Sequence, residues 1–309
     1  MFSRFSISKW FQILPINEVP RDLVYLLFGN PDNHTFLQRI GEHLTVTVLT
    51  TCTKLLLSRH YVKVCNKENL LDPFSIRPPS VPLLTIANHH SCMDDFLLFS
   101  SIHSMTDVMQ IDKLRWSITA TDVCYCNPFS ATLFGLGKGI PIFRSVYDRD
   151  LTTKVITGHG IEQDSLNFAS DLLKRGKWVH IYPQGRIIMP DERDREKEFR
   201  CRWGTGRLMA ENPNAIILPI YHIGADSIAP LDTPYSHSLI RQFVRGNEHF
   251  TIVVGEPIIF DRNLYKIGDD KEKNLEVYAK LTELAQNSLY KLKDRAEDLH
   301  KQHIRDTKI

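Results

Sequence analysis

The sequence predicts an α/β fold in which helices flank a central, largely parallel sheet. Three observations carry that expectation. Short apolar runs of four or five residues alternate with stretches of helical periodicity across residues 60–262. Those runs are mostly apolar, and their alternation with helical patterns favours a largely parallel sheet. The 309 residues are 42% hydrophobic and 24% charged, enough apolar matter for one sizeable core. Fifteen glycines and sixteen prolines exclude a collagen-like or low-complexity chain. No internal repeat divides the molecule, so 60–262 reads as one domain, preceded by an arm at 1–59 and followed by a helix at 263–309.

Residues 1–17, MFSRFSISKWFQILPIN, carry Arg4 and Lys9 with no acid before Glu18, among Phe2, Phe5, Trp10, Phe11 and Leu14. Two readings fit: an arm lying in a membrane interface, and a mitochondrial address. The segment LTVTVLTTCTKLLL at 44–57 is apolar but interrupted by Lys54 and diluted by threonines, and no run reaches the roughly 18–20 apolar residues of a spanning helix. It reads as a half-buried or interfacial helix. Strands are expected at 83–87, 140–143, 178–182, 216–220 and 250–254, and helices at 93–103, 160–175 and 204–211. Pro213, Pro219 and Gly224 break the uncharged stretch 212–225 into a buried strand and turn. In the tail, Leu275, Tyr278, Leu281, Ala285, Leu289, Leu292, Ala296 and Leu299 recur at steps of three and four, an amphipathic helix that packs on the core or a partner.

The 38 basic and 36 acidic residues nearly cancel, leaving a net charge of +2 and no global field for nucleic acid; any basic site is local. Six irregularly spaced cysteines argue against a disulfide framework and for a reduced interior. Cys124 and Cys126 have no second pair at metal-binding spacing and read as core residues, so no metal is implied. The mixed run DERDREKEFR at 191–200 reads as a solvated face without chemistry.

The chemistry concentrates in LLTIANHHSCMDD at 83–95. A buried strand ending at Asn88 would put His89 in a turn and Asp94 in the first turn of the following helix. A carboxylate on one imidazole nitrogen fixes the tautomer and leaves the other free to take a proton from a hydroxyl. Ser91-x-x-Asp94 fits a capping box equally well. His90 lacks a comparably placed acid and reads as a neighbour. Two more strands run into basic residues: IPIF into Arg144, and VHIY into Pro183-Gln184-Gly185-Arg186. Strand carboxyl ends in a parallel sheet line one crevice, so His89, Arg144 and Arg186 would share it, two guanidiniums beside a base suiting a phosphate-bearing substrate.

In order, His89-x4-Asp94, GKGIPIFR ending at Arg144, YPQGR at 182–186 and ILPI at 217–220 resemble the blocks of the glycerolipid acyltransferase superfamily. Within it, NHHSCMDD, KWVHIYPQGR and RWGTGRLMAE are similar to the phospholipid–lysophospholipid transacylases that remodel cardiolipin in mitochondria. The resemblance covers about residues 80 to 260. It implies His89 and Asp94 as the catalytic pair, Arg144, Arg186 and Gly185 as phosphate-binding, and Asn88, Ser91 and Gln184 as supporting. It implies no cofactor, phospholipids and lysophospholipids including cardiolipin as partners, and monotopic attachment at a membrane surface. The implied place is a mitochondrial membrane, on the outer face of the inner or the inner face of the outer one; a homo-oligomer is compatible. Gln184 stands where the family usually has Glu, which loses a negative charge. Two rivals follow: an acyl-CoA-dependent acyltransferase on the same scaffold, and a lipid-binding scaffold weakened by Gln184.

Overall fold

The apolar runs pair as one seven-stranded sheet. In chain order the strands are β1 (Tyr61–Cys65), β2 (Leu83–Ala87), β3 (Trp116–Ala120), β4 (Gly139–Ile142), β5 (Val146–Tyr147), β6 (Lys154–Ile156), β7 (Trp178–Ile181), β8 (Ile216–Ile223) and β9 (His249–Val254). The sheet runs β1-β9-β8-β2-β7-β3-β4, and β5 and β6 form a separate antiparallel ribbon. Every pairing in the large sheet is parallel except β8 with β9. This computed structural model describes residues 34–147, 154–156, 158, 160–230 and 246–307, so the expectations for residues 1–17 lie outside them.

The helices are α1 (Phe36–Leu57), α2 (Glu68–Ile76), α3 (Asp94–Ile102), α4 (Met105–Val108), α5 (Thr121–Cys124), α6 (Pro128–Leu136), α7 (Asp164–Lys174), α8 (Gly204–Glu211), α9 (Ala225–Ile228) and α10 (Lys271–Asp306). They cover both faces of the sheet, and β2 shows how. All five of its residues are buried, and successive side chains alternate between two cores. Leu84 and Ile86 belong to the core that holds Leu172 of α7, Leu208 of α8 and Leu281 of α10, whereas Leu83 and Ala87 belong to the one that holds Leu56 of α1, Phe74 of α2 and Leu97 of α3.

Besides the short ribbon of β5 and β6, two strands of the large sheet escape the sequence reading, each for a visible reason. β1, YVKVC, is an edge strand with no fully buried residue and an inserted lysine. β3, WSITA, alternates because Ser117 and Thr119 serve buried polar partners, Asp95 and the Ile140 carbonyl.

α1 starts at a capping box between Thr35 and Gln38. It buries Val46, Leu56 and Leu57, while Leu37, Ile40, Leu44, Val48 and Leu55 stand exposed along one stripe. Among the described residues no helix is long and apolar enough to cross a membrane. α10, 36 residues capped by Asp270, lies within the 263–309 expected for it and extends past both ends of the 275–299 stripe. Its buried stripe begins at Tyr278, since Leu275 is exposed. α8 meets α10 so closely that a Cβ at Gly206 would lie 1.9 Å from the Tyr278 carbonyl oxygen.

Candidate active site

Because β2, β3, β4, β7 and β8 run the same way, the loops at their carboxyl ends gather at one edge of the sheet. At the end of β2, the Asn88 side-chain amide donates to the His222 carbonyl at 2.9 Å and accepts from the His222 N–H at 2.8 Å, tying the strand end to β8. His89 follows in the turn. α3 begins at Asp94, where the helix N-terminus favours a carboxylate. One Asp94 oxygen, Oδ2, accepts from the N–H groups of His90 (2.6 Å) and Ser91 (3.0 Å) and from His89 Nδ1 (2.9 Å).

Asp94 therefore orients the imidazole and caps the turn with one atom, and the two sequence readings describe the same carboxylate. Ser91 departs from the capping box: its hydroxyl donates to the Ala229 carbonyl at 2.6 Å and accepts the Met93 N–H. Asp94 is fully buried, and burial opposes its ionisation. His222, the His89 bond and the Ser91 amide outweigh that, holding it below the usual carboxylate range. His222 itself, pushed down to about 4 by burial, is neutral at pH 7. The neighbouring acid, Asp95, is committed elsewhere, paired to Arg115 and bonded by Ser117. With Nδ1–H on Asp94, Nε2 of His89 is the nitrogen left to accept a proton. The His89 side chain is 21% exposed where Asp94 is wholly enclosed.

The end of β7 builds the facing wall. The Tyr182 ring stacks on the His89 imidazole, centroids 4.3 Å apart and planes within 18°. Gly185 turns the chain at φ +70°, a conformation that suits glycine. The sequence reading makes Gly185 a phosphate-binding residue, but its N–H is taken by the Tyr182 carbonyl and its own carbonyl accepts from Arg144. What it supplies is the turn. Gln184 accepts the His89 N–H through Oε1 at 2.8 Å and donates from Nε2 to Glu196 at 2.7 Å.

Glu196 corrects the expectation for the charged run. Residues Pro190–Glu198 form a 3-10 helix, and Glu196 is fully buried beneath the site. It also supplies the acid that His90 lacks locally, with His90 Nε2 at 3.2 Å. Burial opposes its charge, yet His90, Tyr221 and Lys293 hold it down at about 2.

The two arginines sit where the strand ends place them, but each already has a carboxylate. Arg144 pairs with Asp122 through Nε (3.0 Å) and Nη2 (2.9 Å). Arg186 pairs with Glu192 through both Nη atoms and lies over the Phe199 ring. Arg186 therefore does not depend on residue 184 for its placement. Two cavities meet at His89. One of about 470 Å³ has an apolar wall of Ile118, Ile142, Leu166 and Ile181, with Arg144, Arg200 and Arg202 at its polar side. The other, about 330 Å³, holds Cys92, Phe96, Phe134 and Arg186. Arg144 and Tyr182 border both. Among the described residues no group of three or more His, Cys, Asp or Glu is placed to hold a metal ion.

Sequence reasoning passes over Tyr182, Asp122, Glu192, Glu196 and His222. Tyr182 adjoins a recognised turn and Glu192 lies six residues from Arg186, so both were within reach; Asp122, Glu196 and His222 meet their partners only across the fold.

Residues 61–223 match the family model described as Acyltransferase. Tafazzin of Drosophila melanogaster is 31% identical over 284 residues, covering 91% of this chain and 67% of the relative. N-acylphosphatidylethanolamine synthase of Arabidopsis thaliana is 35% identical over 64% of this chain and 63% of the relative. Taffazin of Dictyostelium discoideum is 31% identical over 68% and 67%. The matches thus span about two thirds of the length of each of these three relatives.

Proposed function

This chain belongs to the acyltransferase family and is an acyltransferase, and on that premise we propose that it moves an acyl chain from a phospholipid to a lysophospholipid. The observation that carries the reading is the 2.9 Å contact between His89 Nδ1 and Asp94 at the mouth of an apolar-walled cavity of about 470 Å³. Nε2 of His89 takes the proton of the lysophospholipid hydroxyl as its oxygen attacks the donor ester carbonyl. Asp94 stabilises the imidazolium, which then protonates the departing glycerol oxygen as the tetrahedral intermediate collapses. One ester C–O bond forms and one breaks, so the exchange is close to thermoneutral and needs no activated donor. Arg144 and Arg186 hold phosphate, with Arg200 and Arg202 beside the larger cavity. Because Asp122 and Glu192 already offset their charge, these arginines position a headgroup more than they concentrate anions.

The substrates live in a bilayer, and the exposed stripe of α1 offers the means of reaching it. Leu37, Ile40, Leu44, Val48 and Leu55 face outward, and Met109 of the α4 end and Phe129 of α6, from elements packed on α1, are exposed with them. Such a face inserts into the headgroup boundary without spanning. A mitochondrial membrane and cardiolipin among the acceptors fit the tafazzin relatives. The Arabidopsis relative, named for making N-acylphosphatidylethanolamine, favours a second acceptor, the amine of phosphatidylethanolamine, which the same base serves.

The test is acyl transfer from labelled phosphatidylcholine, by purified protein, to lyso-cardiolipin, to phosphatidylethanolamine, and to either with acyl-CoA as donor instead. Transfer to lyso-cardiolipin without CoA, abolished in folded His89→Ala, is expected. Activity only with acyl-CoA, or full activity in His89→Ala, overturns the reading.

A further inference from the structure

We propose that Glu196 is a positioning residue for His89, acting through Gln184, and that the contact works because it joins one carboxylate to one amide. The proposal rests on the reading of His89 as the base.

Gln184 has one accepting and one donating end. The His89 N–H, 2.8 Å away, requires the oxygen on its side, so Nε2 must face an acceptor, and Glu196 Oε1 provides one at 2.7 Å. The same oxygen meets His90 Nε2 at 3.2 Å. Glu196 therefore grips two successive residues of the turn, His89 by its main chain through Gln184 and His90 by its ring. Its other oxygen, Oε2, is fixed from outside the turn, by the Tyr221 hydroxyl of β8 at 2.5 Å and Lys293 Nζ of α10 at 3.1 Å. Both Gln184 and Glu196 are enclosed, at 3% and 0% exposure, so water cannot substitute for either partner. A carboxylate with every near neighbour a donor is a built anchor, and the His89 imidazole angle against Asp94 is what it sets.

The arrangement reverses the expectation that glutamate at 184 would strengthen the site. Gln184→Glu puts a second carboxylate at hydrogen-bonding distance from Glu196, and the two must share a proton or separate. Separation pulls on the His89 main chain. Exchanging both, Gln184→Glu with Glu196→Gln, restores one carboxylate and one amide across the same contact.

The experiment measures transfer from labelled phosphatidylcholine to lyso-cardiolipin for the wild type, Q184E, Q184E/E196Q and H89A, with thermal melting of each. Q184E is expected to lower kcat about tenfold or more with KM within about twofold, and the exchanged pair to return kcat to within about threefold of the wild type. A merely structural contact would move melting without this recovery of kcat. Q184E as active as the wild type, or a double variant recovering no more activity than Q184E, overturns the proposal. Where Q184E does not fold, the exchanged pair decides: a folded double variant with kcat more than about tenfold below the wild type overturns the proposal. Full activity in H89A is the failure of the underlying reading and is seen separately, since that variant leaves 184 and 196 intact.

Discussion

Replacing Asp94 separates its two duties. In Asp94→Asn the side-chain oxygen can still accept the His90 and Ser91 N–H groups, at 2.6 and 3.0 Å in the native protein, and still meets His89 Nδ1. The turn survives, but the negative charge that steadies the imidazolium is gone. Loss of general-base assistance of this kind is worth about 10²- to 10⁴-fold, so kcat should fall by at least 10²-fold. Melting should fall by no more than about 4 °C, because the accepted hydrogen bonds remain while the net favourable interactions of the ionised carboxylate are lost. Asp94→Ala removes the acceptor altogether and strands two enclosed N–H groups, at roughly 1–3 kcal/mol each. At about 2–4 °C per kcal/mol, melting should drop by some 5–20 °C, on top of an equal loss of activity. The assay is steady-state acyl transfer beside differential scanning calorimetry on the same preparations. An Asp94→Asn enzyme keeping more than about a third of the native kcat would refute the catalytic role and leave Asp94 as a cap alone.

Stability should fall as the solution is acidified below neutrality. Burial lowers His222 and His103 to about 4 and His180 to about 3, whereas an unfolded histidine titrates near 6.5. Below pH 6.5 the unfolded chain therefore binds protons that the folded one refuses, each histidine costing about 2 kcal/mol by pH 5; melting curves unchanged between pH 7 and 5 would contradict this. Leu44→Glu with Val48→Glu should cut binding to phosphatidylcholine–cardiolipin vesicles by about tenfold or more while leaving melting unchanged, both residues being exposed, and equal sedimentation with vesicles would count against the α1 surface. Gly206→Ala forces α8 and α10 apart at a 1.9 Å approach and should cost about 2 kcal/mol or more, read as a loss of about 4–8 °C in melting.

What the sequence could convey follows its local periodicity. β2, β7 and β8 are mostly apolar runs with both faces covered, and they were readable as strands without a partner in sight. β3 was not, because its serine and threonine face Asp95 and the β4 backbone, an alternation that means nothing until those partners are placed. The same division runs through the site. His89 and Asp94 lie five residues apart and could be paired from spacing. His90 and Glu196 are 106 residues apart, and Glu196 sits in a run whose composition resembles a solvated face. Only one of that run's carboxylates is fully buried, and no property of the run itself singles it out. The arginines were placed correctly by the strand-end rule, but their neutralising partners, Asp122 and Glu192, belong to loops and short helices with no such rule.

The join between α10 and the site bears on when the protein can begin to act. All residues around His89, from Asn88 to His222, leave the ribosome before Lys293 does, and until then Glu196 is a buried charge without its lysine. Without α10 docked, Glu196 lacks its ion pair and the cluster that includes Leu84 and Ile86 lacks Tyr278, Leu281 and Ala285. Completion of the core and bracing of the site are thus one event, since the helix that brings Lys293 to Glu196 also brings Leu281, Ala285 and Leu289 to the apolar clusters.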